Sequence, residues 1–184
     1  MFMLWAIPVG IVVGLLVGGR IGNLSGFRFR WGWLAVAGLL VQVVLFSPTG
    51  DALAGDLGPA IYLASTAAVL VAVLRNLRQP GMAVVALGSV ANLAAISANG
   101  GFMPASAEAL AAAGLPPGDH LNSIVVANPA LQALTDIYAI PAGLPMANVF
   151  SIGDVLIALG IVWTIAAAMR RRAAGATGVS PIES

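Results

Sequence analysis

Leu134 to Gly160 reads LTDIYAIPAGLPMANVFSIGDVLIALG. It holds two aspartates that set the problem for the whole chain. Asp136 lies in a Pro- and Gly-rich approach, and Asp154 lies in the first turn of the last apolar segment. An ionisable group at the edge of a membrane helix is costly to keep there, so it marks a site until shown otherwise. Working outward from this stretch, the remainder reads as a scaffold that delivers these residues to one side of a membrane.

Of the 184 residues, 60% are hydrophobic and 8% charged. Soluble domains carry about a quarter charged residues, so this composition belongs to an integral membrane protein. With no cysteine there is no disulfide, thiolate nucleophile or Cys-ligated metal, and one histidine, His120, excludes a multi-His metal site within one chain. No cofactor and no metal are expected. No phosphate loop, Ser-His pairing or basic aromatic surface is present, so nucleic acid is not an expected partner.

Five apolar segments are predicted to be spans: Met3–Gly19, Trp31–Phe46, Gly58–Leu74, Gly81–Ala98 and Ile152–Met169. Each approaches the length that crosses a hydrocarbon core, and only helices or closed barrels satisfy backbone groups there. The runs do not alternate apolar with polar residues, so helices are predicted. The first segment lacks a basic n-region and a small-x-small cleavage site, so it reads as retained. Its Gly10, Gly14 and Gly18 recur every four residues on one face and invite a close neighbour.

Arg20, Arg28 and Arg30 follow the first segment, Arg75 and Arg78 the third, and Arg170, Arg171 and Arg172 the fifth. If every segment spans, all eight arginines share one side, which the positive-inside rule makes cytoplasmic. The N-terminus is then outside and the C-terminus inside, with Trp31 and Trp33 at an inner aromatic belt. Asp51, Asp56, Glu108, Asp119, Asp136 and Asp154 fall on or near the outer side; Glu183 alone is in the tail. The expected fold is an all-α, five-span helical bundle in the cell membrane, one domain over 1–172. Residues 99–151 form an outer cap, and 173–184 a disordered cytoplasmic tail.

Within the cap, Asn99-Gly100-Gly101-Phe102-Met103-Pro104 signals a sharp turn. Pro104–Ala113 reads as a short helix with Pro at its first position and Gly114 beyond its end. Ser123–Ala127 has strand character, and Pro129–Ile137 has room for a helical turn. Gln42 and Asn92 are amides expected to bond neighbouring helices. Tyr138 and Trp163 read as packing residues, and His120 as a surface or interfacial residue.

Two readings of the aspartates stay open. In the first, Ser151 and Asp154 form a capping box at the start of the last helix, and Asp136 is an ordinary loop acid. In the second, the two carboxylates meet at a semi-dry boundary, share a proton, and act as general base and general acid. Asn99, Asn148 and Ser151 are then candidates for supporting or substrate-binding roles. The structural alternative for Asn99 is termination of the fourth span with its two glycines.

Phe150-Ser151-Ile152-Gly153-Asp154, followed by Ile157 and Gly160, resembles the F-N-x-A-D-x-x-I-x-x-G signature of lipoprotein signal peptidase (signal peptidase II). Thr135-Asp136-Ile137 stands where that family has a V-D-F-type segment. The resemblance implies an aspartic intramembrane peptidase with Asp136 and Asp154 as its dyad. Its expected partners are the bilayer and a membrane-bound peptide or lipidated substrate. Ser151 replaces the family's asparagine, the family's G-N-x-x-D-R segment is missing, and the family has four spans. The chain as a whole, with NGGFMP and NVFSIGDVLI, is also similar to an uncharacterised bacterial multi-pass membrane-protein family of unknown function.

Overall fold

The computed structural model describes residues 2–116 and 123–170. Arg171, Arg172, Asp119, His120, Glu183 and the 173–184 tail lie outside these described residues. The chain is mostly helical. Five apolar helices occur where the sequence predicts them: α1 (Ala6–Leu16), α2 (Gly32–Leu45), α4 (Gly58–Leu74), α5 (Met82–Ala98) and α7 (Ile152–Arg170). Two more are short: α3 (Pro48–Ala54), and α6 (Ala107–Ala112) in the cap.

α3 was not expected. Ser47 caps it, its Oγ accepting from the Gly50 N–H at 3.0 Å, and Pro48 occupies the first turn, where its missing N–H costs nothing. α3 then runs through a 3-10 turn into α4, making Pro48–Leu74 a 27-residue apolar helix. It and Ile152–Arg170 are the two described helices long and apolar enough to cross a membrane; α1, α2 and α5 are shorter apolar helices. Large apolar side chains cover their outer faces, with Leu16 80%, Val43 68% and Leu159 58% exposed.

The helices pack in series, in the spatial order α1–α7–α5–α4–α2. The last helix therefore lies between the first and the fifth. Gly10 and Gly14 of α1 face Ile165, Ala166 and Met169 of α7, as their spacing predicts, while Gly18 lies past the helix end. α5 and α7 approach most closely through Gly81 and Gly88 on one and Gly153 and Gly160 on the other. Gln42 donates to Ser65 and Thr66 across the α2–α4 contact, at 3.3 and 3.2 Å.

The arginine-bearing end is tied by amides. Asn76 is buried; its Oδ1 accepts from the Arg30 N–H and from Gln79, and its Nδ2 donates to the Arg30 and Ala72 carbonyls. Gln79 donates to the Arg28 carbonyl, and Asn23 to that of Met169 at 2.7 Å. The Arg75 guanidinium lies 5.2 Å over the Trp31 ring.

The cap departs from an all-α description. β1 (Met103–Pro104) pairs in parallel with β2 (Ser123–Ile124), and β3 (Tyr138–Ile140) pairs antiparallel with β4 (Asn148–Phe150). These short sheets pair backbone groups that a cap without long helices would otherwise leave open. Pro104 belongs to β1 rather than to the helix start; α6 begins after Ser106, whose Oγ accepts from the Ala109 N–H. Ala105, Ala109, Leu110, Ala113 and Val149 form the cap's own core. The helical turn predicted within Pro129–Ile137 is a 3-10 turn at Gln132–Leu134.

Candidate functional site

The hairpin β3–β4 explains how Asp136 and Asp154 come near each other. Tyr138 pairs with Phe150, and Ile140 with Asn148. Two residues outward from the first pair lies Asp136 on one strand, and the first residue of α7 on the other. Pro141-Ala142-Gly143-Leu144-Pro145-Met146-Ala147 closes the hairpin, with positive φ at Gly143 and Met146. The proline-rich connection thus returns the chain on itself, and the two acids stand beyond its open end. Tyr138 stacks on Phe150 at 5.6 Å, which is the packing role its sequence position suggested.

Asp136 is held by its backbone. Its N–H donates to the Pro104 carbonyl at 2.9 Å, and its own carbonyl accepts from the Ser106 N–H at 3.0 Å. The side chain is only 7% exposed, and its Oδ1 has no hydrogen-bond partner among the described residues. Burial pushes this carboxyl from its usual acidic range up to about 8, and the charge of Asp154 acts in the same direction. At neutral pH Asp136 is therefore mostly a protonated acid.

Asp154 stands in a different environment. Its Oδ1 accepts from Asn92 Nδ2 at 2.7 Å, and its Oδ2 accepts from the Ser151 N–H at 3.2 Å. Ser151 Oγ accepts from the Asp154 N–H at 3.0 Å and donates to Asn92 Oδ1 at 2.8 Å. The capping box is thus complete, and an amide from α5 locks it. Gly153 is required at its position: a Cβ there would overlap the Asn92 side chain and crowd the Gly88 carbonyl.

Tyr62, on α4, completes the neighbourhood. It packs against the buried cluster of Ala95, Ile96 and Met103, edge-on to Phe46 at 4.9 Å, and lies within reach of the charges of both carboxylates.

The supporting residues expected from sequence divide. Ser151 is fully buried and bonded to Asp154. Asn148 is the first residue of β4, opposite Ile140. Asn99 is the C-cap of α5; it donates to the Ala95 and Ala130 carbonyls and accepts from the Ala130 N–H. Its amide is committed to the cap's backbone rather than to either aspartate. Gly101 follows with φ +90°, and only a residue without Cβ clears Pro59 there.

The acceptor of Asn92 is what sequence reasoning missed. Asn92 does bond a neighbouring helix, as an amide in an apolar helix should, but its acceptor is the Asp154 carboxylate. The available signal was its position in the second half of α5, level with the start of α7. Among the described residues no group of three or more His, Cys, Asp or Glu side chains could hold a metal ion.

No curated protein and no solved structure matches this chain. One protein-family model matches residues 26–166, a span that takes in Tyr62, Asn92, Asp136 and Asp154. The chain belongs to that family, described as a family of unknown function (DUF5317), as its NGGFMP and NVFSIGDVLI segments suggested.

Proposed function

We propose that this chain is a five-span membrane protein, N-terminus outside and C-terminus inside, with an aspartic-dyad hydrolase site at the extracytoplasmic face. The arginines gathered at one end of the helix row and the apolar side chains covering its outside support that orientation and that solvent. The substrate class is a membrane-bound peptide.

One observation carries the hydrolase reading. Asp136 is buried, lacks a partner for one oxygen, and sits near enough to Asp154 to feel its charge. A scaffold gains nothing from such a group, since an unpaired buried carboxyl costs stability. As a general acid at neutral pH it is well suited. Asp154 takes a proton from water as the water oxygen attacks the peptide carbonyl, and Asp136 gives its proton to that carbonyl oxygen. As the tetrahedral species collapses, Asp154 passes its proton to the nitrogen and Asp136 takes one back from the hydroxyl, so the C=O re-forms, the C–N bond breaks to a free amine and both acids return to their starting states.

The test is a comparison of new protein N-termini in membranes carrying the wild type, Asp136→Asn or Asp154→Asn. Cleavage products present with the wild type should vanish with each single variant, and the double variant should be no worse than either. Products that persist undiminished in both single variants would end the hydrolase reading. The complete capping box at Asp154 favours a second reading, a non-catalytic subunit or lipid- or peptide-binding protein. In that case no product depends on either aspartate.

A further inference from the structure

At the arginine end, two segments far apart in sequence are held side by side. Phe29 packs against the buried cluster of Val73, Met82, Val85 and Ala86. Its neighbours Arg28 and Arg30 are exposed, as alternate side chains of an extended stretch should be. Their main chain is strapped to the turn between α4 and α5. Gln79 Nε2 donates to the Arg28 carbonyl, the Arg30 N–H donates to Asn76 Oδ1, and Asn76 Nδ2 donates to the Arg30 carbonyl, each at 2.8 Å. That turn carries Arg75 and Arg78, both exposed. Four exposed arginines thus sit on two segments joined by three hydrogen bonds.

No described carboxylate offsets them. Asp51 and Asp56 precede α4 whereas Arg75 follows it, and Glu108, Asp136 and Asp154 belong to the cap and the first turn of α7. Like charges held together repel, so an anion that joins them is attracted. The Arg75 guanidinium lies 5.2 Å over the Trp31 ring, which occupies one face and leaves its N–H edge for an acceptor. Trp31 itself holds φ +56°, a left-handed conformation that a bulky residue seldom adopts. A topological signal needs only positive charge beside a helix end. It needs neither amide straps nor a strained tryptophan under a guanidinium.

Resting on the membrane placement proposed above, we propose that Arg28, Arg30, Arg75 and Arg78 bind the phosphate of an anionic phospholipid headgroup. Every basic residue of the chain is arginine, whose planar fork meets phosphate oxygens in pairs where a lysine offers a point charge. Trp31 and Trp33 stand beside the arginines, 46% and 71% exposed, as side chains at a lipid–water boundary do. A free anion would leave those two rings in water; a lipid covers them. In the proposed orientation the site meets the cytoplasmic leaflet, where polybasic segments find anionic lipid.

The test uses the full chain in non-ionic detergent, with bound lipid counted by native mass spectrometry. Dioleoylphosphatidylglycerol should be retained as a saturable adduct and dioleoylphosphatidylcholine should not. Arg28→Gln/Arg78→Gln leaves the three strapping hydrogen bonds intact, because they use main-chain atoms of Arg28 and Arg30. It should weaken phosphatidylglycerol binding about tenfold, the loss of charge-assisted hydrogen bonds. Arg20→Gln/Arg170→Gln removes the same charge outside the site and should weaken it less than about twofold, through the screened field alone. Equal weakening by the two double variants would overturn the site in favour of diffuse attraction. Equal retention of both lipids by the wild type would also overturn it. Displacement of phosphatidylglycerol by millimolar inorganic phosphate would make it a free-anion site and overturn the lipid assignment. A C-terminal reporter that reads as extracytoplasmic would overturn the orientation and leave the headgroup preference standing.

Discussion

The two ends of the helix row treat buried polar groups in opposite ways. At the arginine end, Asn76 has all its hydrogen-bonding capacity used by backbone groups and Gln79, and Asn23 and Gln79 pin further carbonyls. At the acid end, Asp154 is tied with the same completeness, yet Asp136 Oδ1 remains open among the described residues. The same chain builds saturated polar clusters where it needs only to be held together. The open carboxyl oxygen of Asp136 is therefore not a general looseness of this fold.

The contrast can be broken most forcefully at Asp136. In the unfolded chain this group loses its proton near 3.8, whereas in the folded chain it keeps it to about 8. Between those values the folded state binds more protons, so stability falls as pH rises through the window and stays lowered above it. Melting in detergent from about pH 5 to about pH 9 should show the wild type losing stability, with a flatter profile for Asp136→Asn. A wild-type profile as flat as that of the variant would mean that the carboxyl is well solvated and the contrast false.

The next effect lies at the other end. Asn76→Ala strands the Arg30 N–H and the Arg30 and Ala72 carbonyls, and should cost about 3 kcal/mol in thermal or denaturant unfolding. Carbodiimide labelling of Asp136 in the surviving folded protein should be unchanged. Altered labelling would show that the two ends are coupled.

The smallest effect sharpens the division inside the acid end. Ser151→Ala removes the cap acceptor for the Asp154 N–H and should cost about 1 kcal/mol. The Asn92–Asp154 bond at 2.7 Å survives it, so cleavage should persist at a reduced rate. Complete loss of cleavage would make Ser151 part of the reaction rather than of the helix cap.

The five apolar helices were legible because each is a continuous run, four of them ending at Gly, Asn or Arg and α2 at Ser47-Pro48. The α3 helix was less so: Pro48, Gly50 and Gly55 read as loop residues, and its cap depends on Ser47. The cap's sheets were largely hidden, because β1 meets β2 across a sequence gap with no periodicity to announce it. At the site, the aspartates stood out since charge in an apolar chain is conspicuous. The acceptor of Asn92 did not, because an amide in an apolar helix looks the same whether it bonds a backbone carbonyl or a carboxylate. Only the serial order of the helices brings α4 and α5 beside the acids.

That order also has a consequence in time. Of the described helices α7 is made last, yet it fits between α1 and α5. Until it leaves the ribosome, the Gly10 and Gly14 notch of α1 has nothing to receive, and Asn92 faces a space that Asp154 has yet to fill. A nascent chain halted before Ser151 carries Asp136 but not Asp154. The Asn92–Asp154 bond therefore becomes possible only once the start of α7 has been made.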